Sequence, residues 1–182
     1  MNIIKNLSIA LLFISAFSFY AFVPADTTTT VAEDKINWMA WEEAVAASEK
    51  EPRKIVIDIY TGWCHWCKVM DKKTFNQEEV VQYVNENYYA VKLDAEQKGD
   101  IQFAGNTFKF VPQKKRGYHQ LAAALLDGNM SYPSIVYMNE KMERILISPG
   151  FKDKDAFMTE LRFAKEEAYE TMSFEEFKVK KP

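Results

Sequence analysis

The sequence predicts an α/β fold with a central mixed β-sheet flanked by helices. Residues 55–60 are apolar and largely β-branched, which is typical of a buried strand, and residues 68–73 after them are helix formers. A further strand follows a second helix, an order that implies a right-handed crossover and a parallel pair. Two later strands share a short polar turn and must therefore run antiparallel. Together these features favour one mixed sheet.

The 182 residues of the chain are enough for one domain with a sizeable core. The net charge of −3 argues against a nucleic-acid partner, which would favour a basic surface. We expect a monomer.

The N-terminus has the features of a secretory signal peptide. Lys5 precedes an apolar run over residues 7–23, and Val23-Pro24-Ala25 resembles a cleavage site. We therefore expect residues 1–25 to be a signal peptide and the protein to be periplasmic or otherwise extracytoplasmic. The alternative is an uncleaved segment that anchors the protein in the membrane, because the apolar run approaches spanning length.

The rest of the chain divides into three parts. Polar residues 26–34 predict a flexible leader, residues 35–170 form the predicted domain, and residues 171–182 form a charged tail with no role in the core. Within the domain, the first helix is predicted from Trp38, Trp41 and Val45 at i, i+3 and i+7. Asn37 is its predicted N-cap.

The remaining elements follow in order. Asn76 and Glu79 resemble a capping box that starts a helix, and a strand is predicted at residues 88–93. Between residues 96 and 132 we predict a small hairpin around Gly105-Asn106, a basic turn at residues 114–117 and a helix, with Leu121, Ala124 and Leu125 facing inward. Two strands (134–138 and 143–147) and a final helix from Asp153 complete the fold, and the buried stripe of that helix is Phe157, Leu161, Ala164 and Ala168.

Cys64 and Cys67, the only cysteines, lie at the predicted junction of strand and helix. A helix N-terminus stabilises negative charge and therefore favours a thiolate. In an exported protein a cysteine pair is often a structural disulfide, but one that closes so short a loop constrains the unfolded chain little. The spacing also occurs in zinc sites. Redox use is the favoured interpretation.

The segment around these cysteines resembles the thioredoxin signature. Asp58 lies six residues before Cys64, Tyr132-Pro133 resembles the cis-proline segment of that family, and Gly150 matches the glycine before its final helix. Cys-His-Trp-Cys followed by Lys-Val-Met-Asp-Lys-Lys-Thr-Phe is closer still to thioredoxin-like domains of the DUF255 type and to the C-terminal domain of the periplasmic reductase DsbD. Residues 96–132 are longer than the minimal thioredoxin fold has there, which implies an insertion before the cis-proline strand.

The resemblance implies catalytic roles for four residues. Cys64 would be the attacking nucleophile, with its sulfur toward solvent, and Cys67 the resolving thiol. Asp58, predicted to be buried and to have a raised pKa, would accept a proton from the resolving thiol. Lys92 would partly offset the desolvation of Asp58; the alternative for Lys92 is a surface charge on an edge strand.

Five further residues are predicted to contact the substrate. Trp63 and Trp66 flank the cysteines and offer apolar contact, although Trp63 can equally pack against Asp58 and the strand ends. His65 either favours the Cys64 thiolate as an imidazolium or only shapes the docking face. Tyr132 and the predicted cis-proline Pro133 would present backbone to a substrate chain by strand addition.

These residues predict an exported thiol–disulfide oxidoreductase that exchanges disulfides with protein substrates. The Cys64–Cys67 pair would be its only redox centre, without a metal or organic cofactor. The reductase direction is preferred from the DsbD-like resemblance, and it requires a partner, expected to be membrane-embedded, to pass electrons. The alternative is a thioredoxin-fold binding module that holds a partner or a metal such as copper. His119 would be a ligand in a metal site with His65 and the cysteines, or, as we expect, a solvated histidine at a helix start.

Overall fold

A five-stranded mixed sheet lies at the centre of the protein, which a computed structural model describes over residues 35–180. The predicted signal peptide, the predicted leader and the last two residues lie outside the described residues. The sheet strands are β1 (Trp38–Met39), β2 (Lys54–Tyr60), β3 (Tyr88–Asp94), β8 (Ser134–Met138) and β9 (Arg144–Pro149), in the order β1-β3-β2-β8-β9. The helices are α1 (Trp41–Lys50), α2 (His65–Lys73), α3 (Glu78–Asn87), α4 (Gln120–Leu125), α5 (Lys154–Lys165) and α6 (Phe174–Lys180).

The predicted strand directions are confirmed. β2 runs parallel to β3, in a register that places Asp58 opposite Lys92. β8 runs antiparallel to both β2 and β9, as the short turn between β8 and β9 requires. The sheet is therefore mixed, and the thioredoxin-type order of elements predicted from the sequence is present.

The two faces of the sheet carry separate apolar clusters. Because side chains alternate along a strand, Val56 on β2 faces α2, α3 and α5, whereas Ile55, Ile57 and Ile59 face α1 and α4. Asp58 lies two residues after Val56, so its side chain is on the same face of β2. It therefore lies on the face that α2 covers, which is the helix that carries Cys67.

The first helix starts later than predicted. Trp38 belongs to β1 and pairs with Ala90 of β3, so α1 begins at Trp41 with Ala40, not Asn37, as its N-cap. The Glu43 carboxylate accepts a hydrogen bond from the Ala40 N–H at 2.8 Å, which stabilises that start. The helix pattern around Trp38 was misleading because the pairing of this short strand outweighs local periodicity.

A similar shift affects α3, whose N-cap is Gln77 rather than Asn76. In α4 the inward residues are Leu121, Ala122 and Leu125, and Ala124 is exposed. Both errors concern the exact phase of a short helix, which periodicity fixes poorly.

The predicted insertion forms two small hairpins followed by α4. The first pairs β4 (Ile101–Phe103) with β5 (Asn106–Phe108), and the second pairs β6 (Phe110–Pro112) with β7 (Gly117–His119). The predicted basic turn is the tip of the second hairpin. The insertion therefore packs as an ordered layer at one edge of the core rather than as a loose loop, since Ile101, Leu121 and Leu126 are buried.

The C-terminal segment also differs from the prediction. Phe177 on α6 is only 3% exposed and contacts Phe163 of α5, with ring centroids 5.4 Å apart. The expectation that residues 171–182 have no role in the core is wrong for this side chain, because Phe174 and Phe177 cover an apolar patch that α5 leaves uncovered. Within residues 35–180, no helix is long and apolar enough to span a bilayer.

Candidate active site

Cys64 and Cys67 form a disulfide at the start of α2. The chain leaves β2 at Tyr60, and the Cys64 N–H donates to the Thr61 carbonyl at 3.1 Å, which turns the chain into the helix. Cys64 is the N-cap, and its Sγ accepts a hydrogen bond from the Cys67 N–H at 3.1 Å. Any thiolate formed at Cys64 would therefore be stabilised both by this N–H and by the positive end of the helix.

The disulfide is more enclosed than the sequence suggested. Cys64 and Cys67 are each only 4% exposed, so the expectation that the Cys64 sulfur faces solvent is wrong for this disulfide-bonded state. The sulfur is directed toward Cys67 and the first turn of α2. Exposure is instead concentrated in the flanking residues Trp63 (51%) and Trp66 (56%).

Asp58 is buried, as predicted, and it has one charged partner. Its Oδ2 lies 3.1 Å from the Lys92 ammonium nitrogen, whereas Oδ1 accepts no hydrogen bond from any of residues 35–180. Burial raises the pKa of Asp58 to about 6, and the nearby Lys92 limits that rise. The carboxyl group can therefore hold or release a proton near neutral pH.

Lys92 lies at the centre of a cluster rather than on an edge. β3 lies between β1 and β2, so the alternative of an edge-strand surface charge is wrong. The ammonium contacts both Asp58 and Asp71 and lies about 5 Å from the Trp38, Tyr60 and Phe75 rings. Burial alone would lower the pKa of Lys92, but the two carboxylates outweigh it and raise that pKa.

Asp71 was not found from the sequence. It lies on α2, seven residues after Cys64, and bonds Lys92 from the solvent side with a side chain that is 42% exposed. Because seven residues make about two helical turns, Asp71 lies on the same side of α2 as Cys64. That spacing was the available signal, but a lone aspartate in a run of charged helix residues is not distinctive.

Trp63 is held by three contacts above the strand ends. Its indole Nε1 donates to Glu96 at 3.1 Å, the Arg116 guanidinium stacks on its ring at 4.0 Å, and Tyr132 meets it edge-on at 6.0 Å. Trp63 is half exposed and also packs beside the ends of β3 and β8, so both alternatives for Trp63 agree with this geometry. Glu96 and Arg116 come from the insertion, and neither was predicted to lie near the cysteines.

His65 and Trp66 lie on the other side of the disulfide. Both are exposed, their rings meet at 5.8 Å, and Trp66 also contacts Phe151 at 5.6 Å. The two interpretations of His65 therefore stay open. Trp63, His65 and Trp66 together form an aromatic rim around the enclosed disulfide.

The Tyr132–Pro133 peptide bond is cis, as the resemblance implied. The contact between Tyr132 and Trp63 places this segment beside the Cys64 end of α2. The Pro133 carbonyl accepts a hydrogen bond from the Gly150 N–H at 2.8 Å, which ties the segment to the end of β9. The structure thus brings the predicted substrate-contacting residues together around the cysteines.

His119 is not a solvated histidine. It is fully buried as the N-cap of α4; its Nδ1 accepts from the Leu121 N–H at 3.3 Å, and its Nε2 bonds the Gly99 carbonyl at 3.0 Å. Both ring nitrogens are therefore occupied. In the part of the chain that the structure describes, no group of three or more His, Cys, Asp or Glu residues is arranged to hold a metal ion.

The chain belongs to a family described as protein of unknown function DUF255, whose thioredoxin- and DsbH-like model matches residues 27–177. Among curated proteins, rat spermatogenesis-associated protein 20 is 32% identical over 78 residues, which are 42% of this chain and 10% of that protein. The human protein of that name matches at 31% identity over the same share of each chain. This chain thus spans about a tenth of the length of these curated relatives.

Solved structures agree on the fold. A structure described as DsbH oxidoreductase matches with a TM-score of 0.54 and 17% identity, over 76% of this chain and 90% of that one. A thioredoxin-fold protein from Helicobacter pylori matches with a TM-score of 0.55 and 17% identity, over 84% and 89% of the two chains. The protein therefore has a thioredoxin fold, as its sequence predicts.

Proposed function

We propose that this protein is an exported thiol–disulfide oxidoreductase that exchanges disulfides with other proteins. The observation that carries the proposal is the Cys64–Cys67 disulfide at the N-terminus of α2, enclosed by an exposed aromatic rim. Membership of a thioredoxin-like family and the presence of a disulfide-capable pair support this chemistry at the level of the family. Export is proposed from the predicted signal peptide at residues 1–25.

In the reductase direction, the reaction starts from the dithiol form. The Cys64 thiolate attacks one sulfur of a substrate disulfide, forms a mixed disulfide and releases one substrate thiolate, which takes up a proton. The Cys67 thiolate then attacks the Cys64 sulfur and releases the second substrate thiolate. Two electrons have passed to the substrate, and the Cys64–Cys67 disulfide has formed. A dithiol partner, which we propose to be membrane-embedded, must reduce it again.

Asp58 is proposed to move the proton of the resolving thiol. Cys67 must lose its proton before it attacks, and a buried carboxylate with a pKa of about 6 can accept it near neutral pH. Lys92 keeps enough of the carboxylate ionised for that role. The shared face of Asp58 and α2 supports this assignment.

The rim residues are proposed to hold the substrate. Trp63 and Trp66 offer exposed apolar surface on either side of the disulfide, and the cis Tyr132–Pro133 segment offers backbone for strand addition. His65 lies on the same rim. We propose the reductase direction because the sequence resembles the C-terminal domain of DsbD.

Reduction of insulin by thiol donors tests the proposal. The wild-type protein should accelerate it, and Cys64→Ser should abolish the acceleration because no mixed disulfide can form. Cys67→Ser should instead accumulate a mixed disulfide with the substrate, visible by mass spectrometry. If wild type and Cys64→Ser are equally inactive, the protein is a binding module rather than an enzyme.

A further inference from the structure

The second hairpin of the insertion reaches the active-site rim. Arg116, at its tip, stacks on Trp63, the residue immediately before Cys64. The hairpin and Trp63 enclose a cleft of about 430 Å³, whose walls include Glu96, Tyr118, Met130 and Tyr132. A substrate whose disulfide is positioned at Cys64 would therefore extend past this cleft.

The hairpin is firmly attached at its base. The His119 N–H at the end of β7 donates to the Ala95 carbonyl at 2.6 Å, directly after β3, and the Gln120 N–H donates to Lys109 at 2.9 Å. The Phe110 ring covers Gly117 so closely that a Cβ there would lie 2.1 Å from it. These contacts fix the position of the tip relative to the cysteines.

The tip carries positive charge that forms no ion pair within the described part of the chain. Lys114, Lys115 and Arg116 are exposed, and none of them forms an ion pair with another residue in the range 35–180. Glu96 on the cleft wall accepts a hydrogen bond from Trp63, whereas Asp100 pairs with Lys109 and Asp127 pairs with Arg144. Arg116 lines the cleft, and Lys114 and Lys115 precede it on the exposed tip, in a protein whose net charge is −3.

We propose that Lys114, Lys115 and Arg116 form a docking site for an acidic segment of the substrate protein next to its reactive disulfide. This inference rests on the proposed disulfide exchange and names the class of substrate that it favours. Carboxylates in the substrate pair with the tip while its disulfide lies against Cys64, so the attraction raises the rate of productive encounter. Arg116 links the two sites through its contact with Trp63.

Peptides with one neutral disulfide loop, flanked by three Glu, three Ser or three Lys residues, test the inference. The wild type should reduce the Glu-flanked peptide with a kcat/KM about tenfold above that of the Lys-flanked one at low salt, and 0.5 M NaCl should largely remove the difference. In the double variant Lys114→Glu/Lys115→Glu the preference should vanish or reverse. Because both lysines are exposed and the contact with Trp63 comes from Arg116, this variant should keep the fold and that contact.

The matched control is Lys50→Glu/Lys141→Glu, which changes the net charge equally. Both lysines are exposed at the opposite end of the sheet, since Lys50 ends α1 before β2 and Lys141 lies in the turn after β8. The control should keep the wild-type preference. A preference that falls equally in both double variants would show a general charge effect and overturn the docking site.

The Ser-flanked peptide separates the two proposals. If the wild type reduces it but shows no preference between acidic and basic flanks, the docking site is wrong while the enzyme remains. If no peptide is reduced, the proposed function fails and the inference fails with it. Loss of binding to vesicles of anionic lipid in the tip variant, with an unchanged peptide preference, would assign the tip to a membrane instead and overturn the proposal.

Discussion

Two charged side chains on the same buried strand differ in how completely their charges are paired. Lys54 and Asp58 lie at positions i and i+4 of β2, and each is only 2% exposed. The Lys54 ammonium is 2.8 Å from both Glu140 and Glu167, two partly exposed carboxylates. Asp58 has only Lys92, which it shares with Asp71, and one of its oxygens accepts no hydrogen bond from the described residues.

The difference in pairing determines which charge state is stable. Burial alone would lower the pKa of Lys54, but its two carboxylate partners outweigh burial and raise that pKa, so the ammonium stays charged. For Asp58 burial outweighs the single shared lysine, and its pKa rises to about 6. A fully paired buried charge therefore holds the structure, whereas a poorly paired one is available for proton transfer.

The largest effect should come from removing Lys54. Lys54→Ala deletes buried methylene groups and both ion pairs, so the free energy of unfolding should fall by about 2–3 kcal/mol. Disulfide exchange per folded molecule should not change, because Lys54 lies at the far end of β2 from Cys64. Urea unfolding followed by tryptophan fluorescence measures the first quantity, and insulin reduction measures the second.

Lys54→Met is the matched control, because it keeps the length and the apolar stem but not the charge. Its loss of stability should be smaller than that of Lys54→Ala, since the two glutamates are partly exposed and can be hydrated. If Lys54→Ala kept full stability but impaired disulfide exchange, Lys54 would act in the reaction rather than in stability, and the contrast with Asp58 would be wrong.

Asp58→Asn should change stability in the opposite direction. Because the pKa is raised in the folded state, the folded protein holds the proton more tightly, and stability falls as the pH rises from about 4 to about 6. Above that window the full cost of burying the carboxylate is present. At pH 8 the variant should therefore be more stable than wild type by about 1–3 kcal/mol.

The gain should disappear at pH 3, where Asp58 is protonated in both states. Exchange should meanwhile slow by about tenfold at pH 7, because the acceptor for the Cys67 proton is lost. Asp155→Asn, on the exposed start of α5, is a control that should alter neither property. If Asp58→Asn destabilises the protein at pH 8, Asp58 has a structural role like that of Lys54.

The sequence predicted those parts of the site that depend on local pattern. β2, the start of α2 and the burial of Asp58 follow from residues adjacent in the chain, and the cis peptide before Pro133 and the partner Lys92 followed from the family resemblance. Glu96, Arg116 and Asp71 were missed, because each reaches the site only through tertiary packing. Arg116 in particular belonged to a basic turn that composition alone identifies as a solvated loop.

The wrong predictions for His119 and Asn37 have a similar origin. His119 is polar and starts a helix, as predicted, but tertiary packing buries it, and the segment before β4 supplies the Gly99 carbonyl as its partner. Asn37 has the right residue type for an N-cap, yet the pairing of β1 with β3 moves the helix start to Trp41. In both cases a contact between distant parts of the chain outweighs a local preference.

Asp71→Asn should produce the smallest and most informative change. Its carboxylate shares Lys92 with Asp58 and adds negative charge nearby, and both effects help to keep the pKa of Asp58 raised. Without that charge, Lys92 can pair with Asp58 alone, so the pKa of Asp58 should fall below about 6 and the acidic limb of the pH–rate profile should move to lower pH. A carboxyl-carbon NMR titration, with Asp155→Asn as the control, measures the shift directly. A higher Asp58 pKa in the variant would mean that Asp71 holds Lys92 in place for Asp58, and the buried acid would then depend on its pairing as much as Lys54 does.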